Sequence, residues 1–110
     1  MRNLTLKKCV PCESGTPPLQ EGQIKELHKE ISDWEVSEDN KKISRNFEFR
    51  DFTKAMSFIN KVADLAEDEG HHPDMLIYSW NKVKIELWTH AIGGLSDNDF
   101  IMAAKINTLL

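Results

Sequence analysis

DFTKAMSFINKVADLAEDEG, residues 51 to 70, is the stretch that decides the fold. Phe52, Ala55, Met56, Ile59, Val62, Ala63 and Ala66 recur at spacings of three and four, which is one continuous apolar stripe on a helix. Asp51 is suited to cap its start, and Gly70 stands where a left-handed C-terminal residue is wanted. The spacing predicts a helix over 51–69. Pro73 then forbids helix and favours an extended His72.

Downstream the period changes from helical to alternating. Met75 to Trp80 is a β-rich run without a breaker, and Val83, Ile85 and Leu87 alternate with Lys84, Glu86 and Trp88. Trp80-Asn81-Lys82 reads as the tight turn between two strands. Gly93-Gly94 ends the hairpin. Ser96 followed by Asp99 resembles a capping box, with Asp in place of the usual Glu or Gln. Phe100, Ala103, Ile106 and Leu110 then share one face of a last helix.

Upstream, Ile24, Leu27 and Ile31 predict a short helix over about 20–31. Trp34 and Val36 alternate with polar residues, Ser37 to Asn40 reads as a turn, and Ile43, Phe47 and Phe49 share one face of the next strand. The order is α-β-β-α-β-β-α. It implies an α+β fold, an antiparallel four-stranded sheet with the two long helices on one face. Residues 1–18, punctuated by Pro11, Gly15, Pro17 and Pro18, read as an extended, loosely held arm, and 19–110 as a single domain.

Composition narrows the function. The net charge of −4 argues against a nucleic-acid surface, and the apolar runs fall far short of the roughly 20 residues of a membrane helix. The N-terminal residues lack the apolar stretch and cleavage site of a signal peptide, so a cytoplasmic protein is expected. Cys9 and Cys12 cannot close a zinc site by themselves and lie outside any thioredoxin-like context. They read as a reduced surface pair, with a redox or metal role as the alternative.

Three of the four histidines, His71, His72 and His90, lie within one short segment. Imidazole both gives and takes a proton near neutral pH. With the turn centred on Asn81, His72 falls opposite His90, to within a residue of register. Gly93-Gly94 returns the last helix to the same end, which adds Asp99, favoured there by the helix dipole. The expected site is three imidazoles and one carboxylate. Zinc is the rival occupant, weakened because adjacent histidines point apart on regular structure and no His-Glu-x-x-His spacing is present. His28, among Lys25, Glu26 and Lys29, reads as a solvated side chain.

Gly70-His71-His72-Pro73-Asp74, Trp80-Asn81-Lys82-Val83, and Trp88-Thr89-His90-Ala91-Ile92-Gly93-Gly94-Leu95-Ser96-x-x-Asp99 together resemble the pterin-4a-carbinolamine dehydratase family. The resemblance extends back through Phe47, Phe49, Asp51 and Phe52 to Trp34. The segment from Pro73 to Val83 is one residue longer than is usual in that family, so a bulge there would shift the register. The resemblance implies dehydration of 4a-hydroxytetrahydrobiopterin to quinonoid dihydropterin and water, in tetrahydrobiopterin recycling. It implies His71, His72, His90 and Asp99 as catalytic residues, and contact of the pterin with His71, His72, Pro73, Thr89 and His90. It implies no metal and no organic cofactor, and the charge and apolar runs imply no nucleic-acid or membrane partner. A homo-oligomer, dimer or tetramer, is expected, because the two sheet edges must be blocked or paired. The alternative is a non-catalytic dimeric interaction or assembly factor of the same fold.

Overall fold

The structure, a computed structural model, describes residues 3–11 and 15–110. The helices are α1 (Glu21–His28), α2 (Phe52–Glu69) and α3 (Asp97–Asn107), and the strands are β1 (Glu35–Val36), β2 (Ile43–Glu48), β3 (Asp74–Tyr78) and β4 (Lys82–Leu87). The strands form one antiparallel sheet in the order β1-β2-β4-β3. The α+β architecture expected from the periodicities is therefore present, with α1 continued by a 3-10 turn over Lys29–Ile31.

Strand alternation builds the core. Val83, Ile85 and Leu87 of β4 are buried and pair with Phe47, Arg45 and Ile43 of β2. Ala55, Phe58, Val62 and Ala66 of α2 and Phe100, Met102, Ala103 and Ile106 of α3 join them in one cluster. Each fully buried side chain of the larger kind contributes roughly 1.5–3 kcal/mol. The buried stripe of α2 is rotated from the expected one. Phe58, absent from the sequence reading, is buried, whereas Phe52 is exposed. The rotation has a local cause: the Phe58 ring lies 4.8 Å from that of Phe47 and 4.9 Å from that of Phe49.

The caps of α2 match the sequence. The Asp51 carboxylate accepts from the Lys54 N–H at 2.8 Å, and Gly70 is left-handed with φ 68°. The β3–β4 turn does not match. Tyr78 pairs with Lys82 and Asp74 with Glu86, so the turn centres on Trp80 rather than Asn81. Ser79 and Trp80 both have positive φ, 47° and 57°. Two non-glycine residues in the left-handed region complete the turn one residue early, which moves every cross-strand partner by two.

The N-terminal segment is less loose than its prolines suggest. Leu4–Leu6 forms a 3-10 turn, and Leu4 is buried in the core. The Cys9 N–H donates to Glu69 at 2.9 Å. Cys12 lies outside the described residues. His28 also differs from expectation: its Nε2 is 2.6 Å from the Trp34 carbonyl oxygen, so it ties α1 to the first strand. Trp34 itself is buried, with its indole N–H donating to Asn107 at 2.9 Å.

Candidate active site

Asp99 is the junction of the site. Ser96 is the extended N-cap of α3, and the capping box is formed with both of its hydrogen bonds. One Asp99 oxygen accepts from the Ser96 N–H at 3.0 Å and from the Thr89 hydroxyl at 2.8 Å. The other lies 2.6 Å from His71 Nε2. The Thr89 and Ser96 hydroxyls are 2.7 Å apart. A carboxylate donates nothing. Thr89 therefore donates to Asp99, Ser96 donates to Thr89, and His71 carries its proton on Nε2. That leaves Nδ1 of a neutral His71 as the lone-pair nitrogen.

Local chain geometry aims these groups. Gly70 turns the chain out of α2, and the N–H groups of Gly70 and His71 both reach the Ala66 carbonyl. Thr89 and Gly94 exchange backbone hydrogen bonds at 2.8 and 3.4 Å across the His90–Ile92 3-10 turn. Gly93 ends that turn with φ 66°. Gly94 has no room for a side chain, since a Cβ there would sit 2.8 Å from the Pro18 Cβ.

The other two histidines are held differently. His72 Nε2 lies 2.5 Å from Glu67 on the last turn of α2, and both side chains are exposed, 62% and 77%. His71 is 12% exposed and Asp99 is fully buried. The adjacent imidazoles thus point to different carboxylates. The His90 ring stacks on Trp88, with centroids 3.8 Å apart and planes at 33°. Among the described residues, that stack and not a side-chain hydrogen bond holds His90. Lys42 lies over Trp88 at 5.1 Å from its centroid.

His71, His72, Pro73, Thr89 and His90 all line one cavity of about 420 Å³. This volume is within the roughly 300–1,000 Å³ of small-molecule sites. The convergence does not arise as the hairpin argument expected. With the observed register, β3 begins at Asp74 and β4 ends at Leu87, so His72 and His90 are not a cross-strand pair. The Thr89–Gly94 bridge and the 3-10 turn bring His90 round instead. A larger cleft of about 690 Å³ beside α1, lined by Leu19, Gln23, Glu26, Glu30 and Asp97, holds none of these histidines. Chemistry rather than volume selects the site. Among the described residues, no three His, Cys, Asp or Glu side chains gather as a metal-holding group.

Sequence reasoning missed several contributors, among them Trp88, which holds His90. Glu67 lies five residues before its partner His72, across the end of the helix, where no regular spacing marks the pair. Val10, Pro11 and Asn98 also line the cavity, and no local pattern marks them. Beside them, burial foremost and then the neighbouring Glu69 carboxylate push the Cys9 thiol up to about 12. Burial works against the charge of Glu69 too. The Cys9 N–H and the Lys105 ammonium, 2.9 Å away, outweigh it and hold that carboxyl below the usual glutamate value.

The geometry defines a class, a small α+β domain with clustered imidazoles and a buried carboxylate in a ligand-sized cavity. The family model for pterin 4 alpha carbinolamine dehydratase matches residues 17–109. The chain belongs to that family and is classed with its members as an enzyme, a hydro-lyase. It is 51% identical to a putative pterin-4-alpha-carbinolamine dehydratase of Alkaliphilus metalliredigens, over 97% of this chain and 96% of that one. It is 47% identical to Pterin-4-alpha-carbinolamine dehydratase 2, mitochondrial, of Arabidopsis thaliana, over 99% of this chain, and spans 60% of that protein's length. Among solved structures, a transcriptional coactivator/pterin dehydratase from Brucella melitensis is similar with a TM-score of 0.78 and 32% identity, covering 84% of this chain and 97% of that one. A pterin dehydratase-like protein identified as a RuBisCO assembly factor in the alpha-carboxysome shares the fold, with a TM-score of 0.59 and 21% identity over 69% of this chain and 87% of that one.

Proposed function

We propose that this protein dehydrates 4a-hydroxytetrahydrobiopterin to quinonoid dihydropterin and water by histidine acid–base catalysis, in tetrahydrobiopterin recycling. The observation that carries the reading is the cavity in which His71, His72 and His90 meet beside the His71–Asp99 hydrogen bond. The reaction breaks the C4a–O bond. The ring-nitrogen lone pair forms the new C=N bond, one proton goes to the leaving hydroxyl, and one leaves the ring nitrogen. Positioned proton transfers of this kind contribute typically about 10²–10⁴-fold each.

Each residue has a task in this reading. Asp99 fixes the tautomer of His71, so that its Nδ1 is the proton acceptor or, once protonated, the donor. Glu67 meets His72 from the solvent side, a looser contact between two exposed side chains. His90, held by its stack on Trp88, keeps both ring nitrogens for the pterin. Pro73 and Thr89 line the pocket. The unit that does this is the domain of residues 19–110, and no metal or cofactor takes part.

Cytoplasmic action belongs to the same reading and is supported by the likeness to bacterial relatives. Among the described residues, no helix is long and apolar enough to cross a membrane. A homo-oligomer is supported by β3, an edge strand whose Met75, Leu76 and Tyr78 are exposed, with Trp80 beside them. Light scattering should give a mass above the 12.7 kDa of one chain; a single species of that mass at micromolar concentration would refute assembly.

The deciding experiment is an assay with chemically generated 4a-hydroxytetrahydrobiopterin. Dehydration should be accelerated, should survive dialysis against a strong chelator, and should fall at least about 100-fold in kcat in His71→Ala. A wild-type protein without activity would favour the assembly-factor alternative. Activity abolished by the chelator and restored by zinc would overturn the metal-free mechanism.

A further inference from the structure

We propose that Val10 and Pro11 of the N-terminal arm form an apolar wall of the pterin pocket, and that Asn98 is the positioning residue that holds the wall in place. The inference rests on the dehydratase reading and extends it to a segment that the catalytic residues do not include.

The wall is pinned from both sides. Asn98 is buried, and its side chain grips the Val10 backbone at both ends. The Val10 N–H donates to Asn98 Oδ1 at 3.0 Å, and Asn98 Nδ2 donates to the Val10 carbonyl at 2.5 Å. One residue earlier, the Cys9 N–H is held by Glu69, which Lys105 fixes at 2.9 Å, and the Cys9 thiol reaches the Asn98 carbonyl at 3.6 Å. A buried amide that bonds both the N–H and the carbonyl of one residue defines that residue's position closely. Yet the segment so fixed leaves Val10 64% exposed. Val10 and Pro11 stand on the same cavity as His71, Thr89 and His90.

The chemistry of the wall says what it reads. Proline has no N–H, and the Val10 N–H and carbonyl are engaged by Asn98. With the Val10 N–H and carbonyl turned to Asn98, what this residue presents to the cavity is its exposed apolar side chain. It suits the face of the pterin ring or an apolar substituent on it, whereas the hydrogen-bonding edge of the ring must look to the imidazoles. Asn98 is also next in sequence to Asp99. The wall and the carboxylate that orients His71 thus ride on the same first turn of α3. Contact with the ring face persists from bound substrate to transition state. Such uniform binding is read in KM and not in kcat.

The test measures kcat and KM with 4a-hydroxy-6-methyltetrahydropterin, and Kd for 6-methyl-7,8-dihydropterin by quenching of tryptophan fluorescence. Wild type, Val10→Ala, Asn98→Ala, the double variant and Leu6→Ala are compared, with Tm measured for each. Val10→Ala and Asn98→Ala should raise KM and Kd by about three- to tenfold while kcat stays within about twofold. The double variant should be no worse than about the larger single effect, because both act through one wall. Leu6→Ala, exposed on the arm and away from the cavity, should match wild type. Should Asn98→Ala fail to fold, the exposed Val10→Ala decides alone. Active wild-type enzyme with unchanged KM and Kd in Val10→Ala would overturn the inference and leave the dehydratase reading standing. A wild-type chain with no dehydratase activity would overturn both.

Discussion

The two sides of the cavity use the same side chain in opposite ways. On the inner side His71 is bound to a fully buried carboxylate that also takes a hydroxyl and a backbone N–H. On the outer side His72 meets an exposed glutamate and His90 leans on an indole. A hydrogen bond in a closed network is reinforced by its neighbours, and an unmade one is costly there. An exposed ion pair gains little and is screened by salt. The inner imidazole is therefore held in one tautomer and one orientation, and the outer two are held more loosely.

Breaking the inner network should have the largest effect. Asp99→Ala should lower stability by on the order of 3 kcal/mol, because Thr89, Ser96 and His71 lose a buried acceptor. It should lower kcat by roughly 10³-fold. Asp99→Asn keeps the volume but presents an amide to His71. Its stability loss should be smaller and its kcat loss similar, and urea unfolding with steady-state kinetics separates the two. Equal activity in Asp99→Asn and wild type would end the tautomer argument.

His90→Ala should lower kcat by about 10²-fold. Trp88→Leu should cost roughly tenfold, since an aromatic stack is worth about 0.5–1.5 kcal/mol. A Trp88→Leu loss as deep as that of His90→Ala would mean that the indole does more than hold the ring.

The arm's anchor carries a pH dependence. The Glu69 carboxyl lies below its ordinary value of 4.5 in the folded chain. The unfolded state then binds more protons in that range, so the stabilisation is present above about 4.5 and is lost as pH falls through the lower folded value. Glu69→Gln should cost roughly 1–3 kcal/mol at pH 7. The gap between the two urea curves should narrow below the ordinary value. A gap that stays constant into acid would disprove the assignment.

The smallest effect belongs to the outer pair. Glu67→Gln should change kcat/KM by about threefold or less and leave stability unchanged, with the difference shrinking further in high salt. A hundredfold loss would show that Glu67 is as fixed in the bound enzyme as Asp99 is here.

Much of this arrangement was legible in the chain. The α2 helix and both its caps follow from Asp51, the apolar spacing and Gly70, and the capping box follows from Ser96 and Asp99, because all of these depend on neighbours within four residues. The hairpin register was not. It turned on whether Ser79 and Trp80 would enter the left-handed region, which is locally unfavourable for a residue other than glycine and is decided by strand pairing. The buried face of α2 was likewise settled by aromatic rings on another element, through Phe58.

The sequence by itself determined the elements, their order and the set of imidazoles, because each rests on periodicity or on a short-range cap. Only the tertiary structure decided which imidazole is buried and which is exposed, and that the arm reaches the cavity. Asn98 and Val10 are 88 positions apart, and the His71–Asp99 bond spans 28. Contacts of that separation carry no local signature. They exist because the folded core sets α3 beside the end of α2, and the N-terminal segment is tied across both.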